Sequence, residues 1–447
     1  MKNILVFILF PLLSFSQLIS YELIQTWSID DVQDVYNFSS IPSYAGDVNY
    51  QVEGYKVSYY SSDHNGNQVI ATGAIYIPIN SKCSHPVISW QHGTIVSDYS
   101  APSYQIDSGN FIGILAASHG YIVLMSDYLG LGDGDGDHYY CHSDTEASSV
   151  IDLISSSYNF FDLVGVSNND QLFLMGYSQG GHATLATVRE LEETSSNNFQ
   201  ITASCPMAGP YSMSNAQVEM LNVVYPNPGY FPYVIFSYQN VYGNLYNSPS
   251  EIFKTGYENI LDLYDGTFSM DYINEEIWSI AQNIYDLSPS QFTPLDMIKE
   301  DYYNDYLNNS THPFKVALED NDLINFIPQS SMRLIHCNGD DNVPFQNSVL
   351  AYEAFYPYAL NELELLDGGN FNHSECALIS IISAKLYFDT IANFCEDLGL
   401  NSSELLYENG VNFFNLLGQS VTSINKKNNI LFKIYDSGVV KKIIKVQ

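Results

Sequence analysis

Apolar and polar residues alternate over Tyr55 to Tyr60 and Val69 to Ile77, the period-two signature of strands with one face buried. Asp63-His-Asn-Gly-Asn67 between them is a hairpin signal. Six short apolar runs follow at Pro86–Trp90, Tyr121–Met125, Gln171–Met175, Ile201–Cys205, Met332–His336 and Glu362–Leu366. Patterns of helical period lie between many of them, including Glu146–Phe160 and His182–Glu193. Continuous apolar strands alternating with helices predict an α/β fold whose mostly parallel sheet is covered on both faces. One interval breaks the rhythm: about 115 residues, from Ser212 to Gln329, separate two successive strands. They carry helical patterns at Gln217–Val224, Ser250–Leu263, Asn274–Tyr285 and Leu295–Leu307, rich in Tyr, Phe and Ile. A crossover between parallel strands needs one helix, so the excess predicts an inserted helical cap over about 212–329. No internal repeat is visible.

The two ends differ from this body. Met1-Lys2 precedes an apolar run from Ile4 to Leu13, and Ser14 and Ser16 stand at the small-residue positions before Gln17. That is the layout of a signal peptide over residues 1–16, too short to span a bilayer, which takes about 20 apolar residues. No later segment is apolar enough to cross a membrane, so the expected product is an exported protein, secreted or held at the outer cell surface. At the other end six lysines (Lys426, Lys427, Lys433, Lys441, Lys442 and Lys445) crowd into an otherwise acidic chain. Asn429–Tyr435 and Gly438–Val446 read as strands joined at Asp436-Ser-Gly438, after strand-like runs between Gly410 and Val421. The expected division is a catalytic domain over 17–400 and a small β unit over 404–447.

Composition narrows the function. The 447 residues carry 50 acids against 15 bases, a formal net charge of −35. A nucleic-acid partner needs a basic face to neutralise phosphates, so none is expected. The two arginines, Arg189 and Arg333, leave little for arginine-clamp recognition of phosphate or carboxylate. The six cysteines, Cys83, Cys141, Cys205, Cys337, Cys376 and Cys395, include no CxxC pair, which disfavours a zinc or redox motif. Export permits disulfides, and one or two are expected. Sequence does not choose their pairing, although a helix between Cys376 and Cys395 would hold that nearest pair roughly 25 Å apart.

The chemistry concentrates in three places. Gly176-Tyr-Ser178-Gln-Gly180 fits G-x-S-x-G between an apolar strand and a helical run, the setting in which a sharp strand-to-helix turn presents a serine nucleophile on a helix N-terminus. A serine needs a base, and the base an orienting acid. The strand Met332–His336 runs into Cys337-Asn-Gly-Asp340-Asp341-Asn-Val-Pro344, and the strand Glu362–Leu366 leads to His373. Asp340 is favoured over Asp341 as the acid because of its distance from Pro344, and His373 is the candidate base. Two N–H groups must hold the oxyanion; the expected donors are Gln179, next to the nucleophile, and Thr94, in the His92-Gly93-Thr94 turn. His92 and His182 are expected to support the site by hydrogen bonding. Asp133-Gly-Asp-Gly-Asp137, with Asp144 at the twelfth place, approaches a calcium-loop spacing. His138 stands where that loop needs glycine, so no metal is expected there, only an acidic rim.

The motifs Pro86-Val-Ile-Ser-Trp-Gln-His-Gly-Thr94, Asp127-Tyr-Leu-Gly-Leu-Gly132, Gly176-Tyr-Ser-Gln-Gly-Gly-His182, Gly339-Asp-Asp-Asn-Val-Pro344 and His373-Ser-Glu-Cys-Ala377 resemble the α/β-hydrolases grouped as secretory lipases and related esterases, over roughly 45–395. The resemblance implies an eight-stranded sheet, a helical cap between strands six and seven, and ester hydrolysis through Ser178, Asp340 and His373 without a cofactor, on a small-molecule or lipid ester. The segment 404–447, with Phe414-Asn-Leu-Leu-Gly-Gln419 and Val440-Lys-Lys-Ile-Ile-Lys-Val446, resembles the C-terminal sorting domain of the type IX secretion system of Bacteroidetes, which implies that export machinery as a partner. Two other classes use the same features: a prolyl-oligopeptidase-like serine peptidase, disfavoured by the absence of an N-terminal propeller, and a non-catalytic surface-binding protein on a hydrolase scaffold.

Overall fold

The computed structural model describes residues 17–38, 42, 45–79, 81, 83–108, 110–194 and 199–394, and the backbone of 411–414, 430–435 and 440–445. The expected signal segment, most of 404–447 and Cys395 lie outside the described residues. The body follows the order β1 (Leu18–Trp27), α1 (Ile29–Phe38), β2 (Gln51–Ser62), β3 (Gln68–Ile79), β4 (Ser84–Gln91), α2 (Phe111–His119), β5 (Ile122–Ser126), α3 (Ser143–Val164), β6 (Ser167–Tyr177), α4 (Gln179–Glu193) and β7 (Ile201–Met207). Then come α5 (Tyr230–Tyr242), α6 (Met270–Tyr285), α7 (Glu300–Asn308) and α8 (Pro313–Asp320), followed by β8 (Ser331–His336), α9 (Gln346–Phe355), β9 (Leu363–Asp367) and α10 (His373–Asp389). A separate antiparallel sheet joins β10 (Val411–Phe414), β11 (Ile430–Tyr435) and β12 (Val440–Lys445).

The main sheet has nine strands in the order β1-β2-β3-β5-β4-β6-β7-β8-β9. The first three are antiparallel, and β5 to β9 with β4 run parallel. The eight strands expected from the apolar runs are present, and β1 is an additional one. Its Ile19, Tyr21 and Leu23 remain largely exposed at the sheet edge, so it carries little of the one-face-buried pattern by which strands are read.

The continuous apolar runs reflect burial from both sides. Along β6, Phe173 and Met175 join a core with Ile114 of α2 and Phe388 of α10. Leu172 and Leu174 face the other way, onto Ile154 of α3 and Leu185 of α4. The cap between β7 and β8 has a third core, built from residues such as Phe231, Tyr238, Ile277 and Phe314. It is less regular than the sequence suggests. The helix expected at Ser250–Leu263 is two 3-10 turns, Pro249–Glu251 and Tyr257–Leu263, interrupted at Gly256 with φ 97°. The pattern at Gln217–Val224 is a 3-10 turn, Val218–Asn222, entered from a π turn over Met213–Gln217. Helix α5 escaped the sequence reading because Tyr230–Tyr242 is apolar nearly all round and contains Pro232. Proline in a first helical turn forfeits no intrahelical bond.

Three carboxyls, Asp127 fully buried and Asp98 and Asp152 half-buried, add a pH dependence to the fold. Burial pushes Asp127 and Asp152 up to about 6; burial, with Asp133 and Asp265 nearby, does the same to Asp98. Each keeps its proton in the folded chain at a pH where the unfolded chain, with an ordinary value of 3.8, has lost it. Burial lowers His85, His92, His119, His138, His142 and His312, so their contribution to stability falls as pH drops below 6.5, whereas that of the three carboxyls rises as pH falls through 6 and levels off near 4. Relief of the self-repulsion of a −35 chain acts in the same direction as the carboxyls. Asp152→Asn, which cannot ionise, should therefore raise Tm relative to the parent more at pH 7.5 than at pH 5, as calorimetry would show; an equal change at both pH values would contradict this assignment.

Candidate active site

Four of the chosen residues follow the C-terminal ends of parallel strands, where open α/β sheets bind their ligands. Thr94 follows β4, Ser178 follows β6, Asp340 follows β8 and His373 follows β9. Ser178 sits between the last residue of β6 and the first of α4, with φ 63° and ψ −123°. That strained conformation is rare for a residue with a side chain. It is held by hydrogen bonds from the Ser178 N–H to the Met207 carbonyl (3.0 Å) and from the Gly181 N–H to the Ser178 carbonyl (2.8 Å). The glycines make the turn possible: a Cβ on Gly180 would overlap the Gln91 carbonyl, and one on Gly176 would overlap the Gly180 carbonyl.

The candidate acid and the candidate base meet directly. His373 Nδ1 lies 2.6 Å from Asp340 Oδ2. Asp340 Oδ1 accepts from the Asn342 N–H (2.9 Å) and the Val343 N–H (2.8 Å). Burial by itself would raise the Asp340 carboxyl, but hydrogen bonds from His336 and His373 outweigh it and hold the group well below the usual carboxylate range. Asp341, the competing candidate, instead accepts from the His373 backbone N–H at 3.2 Å. The ring of Tyr177, the residue before the serine, packs 4.9 Å from the His373 ring. Its hydroxyl donates to the His373 carbonyl at 2.6 Å. The start of α10 is thus tied to the elbow itself.

A disulfide brackets this pair. Cys337, three residues before Asp340, is bonded to Cys376, three residues after His373. The two loops that carry Asp340 and His373 are therefore stapled together, within the expected one or two bridges. Cys141 and Cys205 are free and buried. Closing a loop of 39 residues stabilises by about 2–4 kcal/mol. A Cys337→Ala/Cys376→Ala double variant should lose that much in denaturant melts and lose activity at lower temperature than the parent; an unchanged melt would show that the bridge contributes nothing.

Around the expected oxyanion donors, Gly93 runs close to the elbow: a Cβ there would lie 3.6 Å from Ser178 Cβ. Thr94 Oγ1 pairs with the Tyr140 hydroxyl at 3.0 Å, and Tyr140 stacks on Tyr233 of α5 at 4.5 Å. The Gln179 amide Nε2 reaches Glu146 (2.9 Å) and His138 (2.8 Å). His92 contacts the carbonyls of Gly93 and Asp127; His182 contacts Glu146 at 2.7 Å and the Asn321 carbonyl at 3.2 Å.

Three residues here were not singled out from sequence. Glu146 is fully buried and gathers the Cys141 N–H, Gln179 and His182. The signal would have been an acid on the inward face of a helix. With Cys141 and His182 it forms the one group of potential metal ligands among the described residues, all within 4.8 Å. Its oxygens are already taken by protein donors, so the cluster works as an internal network. Asn342 is gripped by the cap: its carbonyl accepts from Gln217 and Tyr225, and its side chain pairs with Asn227. His336 shares the Asp340 carboxylate with His373.

The aspartates of the calcium-like loop each have their own protein partner. Asp133 takes Lys56 (2.6 Å) and the Tyr104 hydroxyl (2.6 Å). Asp135 takes the Ile70 N–H (2.9 Å), Asp137 takes Asn240 of the cap (3.1 Å) and Asp144 takes Arg189 (2.9 Å). They act as latches rather than converging on one point.

Ser178 and Gln179 open onto a cavity walled mainly by cap side chains, among them Leu221, Tyr230, Phe231, Val234, Phe314 and Leu318. The overall fold is matched among known structures. The chain has the α/β-hydrolase fold. The cell-wall-degrading esterase LipA of Xanthomonas oryzae superposes with a TM-score of 0.72 at 25% identity, over 84% of this chain and 98% of that one. A crystal structure from Legionella pneumophila gives a TM-score of 0.74 at 23% identity, over 84% and 98%. Candida antarctica lipase A gives 0.61 at 16%, over 85% and 83%. The secretory lipase family model matches residues 95–194, a stretch that contains Ser178 and ends before Asp340 and His373. No curated protein sequence matches the chain. No helix among the described residues is long and apolar enough to cross a membrane.

Proposed function

We propose that the protein is an exported serine hydrolase that cleaves carboxylic esters through an acyl-enzyme formed on Ser178. Ester hydrolysis itself is supported by the secretory lipase match and the likeness to an esterase. The observation that carries the residue assignment is the 2.6 Å contact of His373 Nδ1 with Asp340 Oδ2, beside a serine in a strained turn at a helix N-terminus. In this mechanism the Asp340 carboxylate fixes the hydrogen of His373 on Nδ1, leaving Nε2 free to take the Ser178 proton. The serine oxygen attacks the ester carbonyl, and the backbone N–H groups of Thr94 and Gln179 hold the resulting oxyanion. His373 returns the proton to the departing alcohol. A water molecule, deprotonated by the same ring, then releases the acid.

The cap side of the cavity is hydrocarbon and aromatic, which favours substrates with an apolar group next to the ester. Activity across p-nitrophenyl esters from acetate to palmitate tests this. The account expects kcat/KM to rise beyond acetate; a maximum at acetate would leave the cavity without a role in binding. Export is part of the same proposal. The terminal Val411–Lys445 sheet, which shares no strand with the main sheet, is read as a sorting tag for type IX export. Removing residues 404–447 should retain the protein inside its native host, and unimpaired release would refute the tag.

A further inference from the structure

The carboxylate assigned to orient the base touches two imidazoles. His336 lies at the end of β8, fully buried, four residues before Asp340. Its Nε2 is 3.2 Å from Asp340 Oδ2 and 3.0 Å from the Val343 carbonyl. Both are acceptors, so Nε2 carries the hydrogen, and Nδ1, 2.7 Å from Ser348 Oγ, accepts from that hydroxyl. The Phe345 ring closes the remaining side at 5.5 Å. We propose that His336 is a positioning residue for catalysis, a fixed hydrogen-bond donor that holds Asp340 in place and moderates how strongly it attracts the His373 proton.

The effect is one of shared charge. Asp340 accepts four N–H groups: Asn342 and Val343 on Oδ1, His336 and His373 on Oδ2. Each donor withdraws electron density from the carboxylate. Removing the His336 donor leaves more for the contact with His373, which stabilises the imidazolium and holds the base protonated to higher pH. It also frees the carboxylate to rotate. The titratable groups facing Asp340 are His336, His373, Asp341, Tyr177 and Tyr225. Of these, His336 is the one other than the base that bonds to the shared oxygen.

The inference rests on the proposed hydrolase function, and the test separates the two. In the full chain, His336→Leu removes the donor, and His336→Gln replaces it with an amide N–H. The pH–kcat profile on a short-chain ester is the readout. His336→Leu should lower kcat about 10- to 100-fold, the loss expected for a hydrogen bond to a charged group. KM should change little, and the acid limb should move to higher pH. His336→Gln should recover most of the rate and return the limb. Where the leucine variant does not fold, His336→Phe, which keeps a ring but removes the donor to Asp340, should shift the limb in the same direction. An unmoved acid limb, or equal losses in the leucine and glutamine variants, would overturn the positioning role. Failure of the hydrolase reading would show differently, as activity that survives Ser178→Ala.

Discussion

Replacing Ser178 with alanine is expected to cut kcat on a carboxylic ester by about 10⁴-fold or more while leaving the melting temperature close to that of the parent. The hydroxyl has no structural duty that alanine fails to meet. The bonds that hold the turn run through the backbone of Ser178, to Met207 and from Gly181, and alanine keeps all of them. Activity should fall to what an oxyanion site and an apolar cavity achieve with water alone. A variant that folds normally and still hydrolyses the ester within ten-fold of the parent would remove the nucleophile from the account.

Asp340→Asn should be nearly as damaging, about 10⁴-fold in kcat, for a reason specific to this site. The backbone N–H groups of Asn342 and Val343 both point at Oδ1. An asparagine therefore keeps its carbonyl oxygen there and turns its NH₂ toward His336 and His373. His373 Nδ1, now facing a donor, becomes the acceptor, and its hydrogen moves to Nε2. The ring then cannot take the serine proton. Loss of kcat with KM retained, measured alongside an unchanged near-UV circular dichroism spectrum, is the expected pattern. Near-parental activity would mean that Asp340 does not set the tautomer.

What sequence order exposed and what it hid follow from the range of the interactions. The elbow is local, since its glycines and serine act within five residues. The candidate acid stands just past an apolar strand, Met332–His336, whose burial makes it legible, and the candidate base follows β9, a half-buried edge strand read from its apolar run. Hidden features depend on contacts across the fold. The bond between Cys337 and Cys376 is one pairing among many until the two loops are seen side by side. His336 reads as the last residue of a strand until Asp340 folds back over it, and Glu146 reads as one acid among fifty. The cap was predicted in position but not in form, because its aromatic packing tolerates 3-10 and π turns where periodicity suggests α-helix. Strand β1 was missed because an exposed edge strand need not alternate.

The most direct measurement is intact-mass and peptide mapping after treatment with a fluorophosphonate probe, which reacts with a serine only when a base has activated it. The account predicts one adduct per chain on the peptide containing Ser178, much slower labelling in His373→Ala and Asp340→Asn, and none in Ser178→Ala. An adduct on another residue, or labelling of Ser178 at the parental rate without His373, would contradict it.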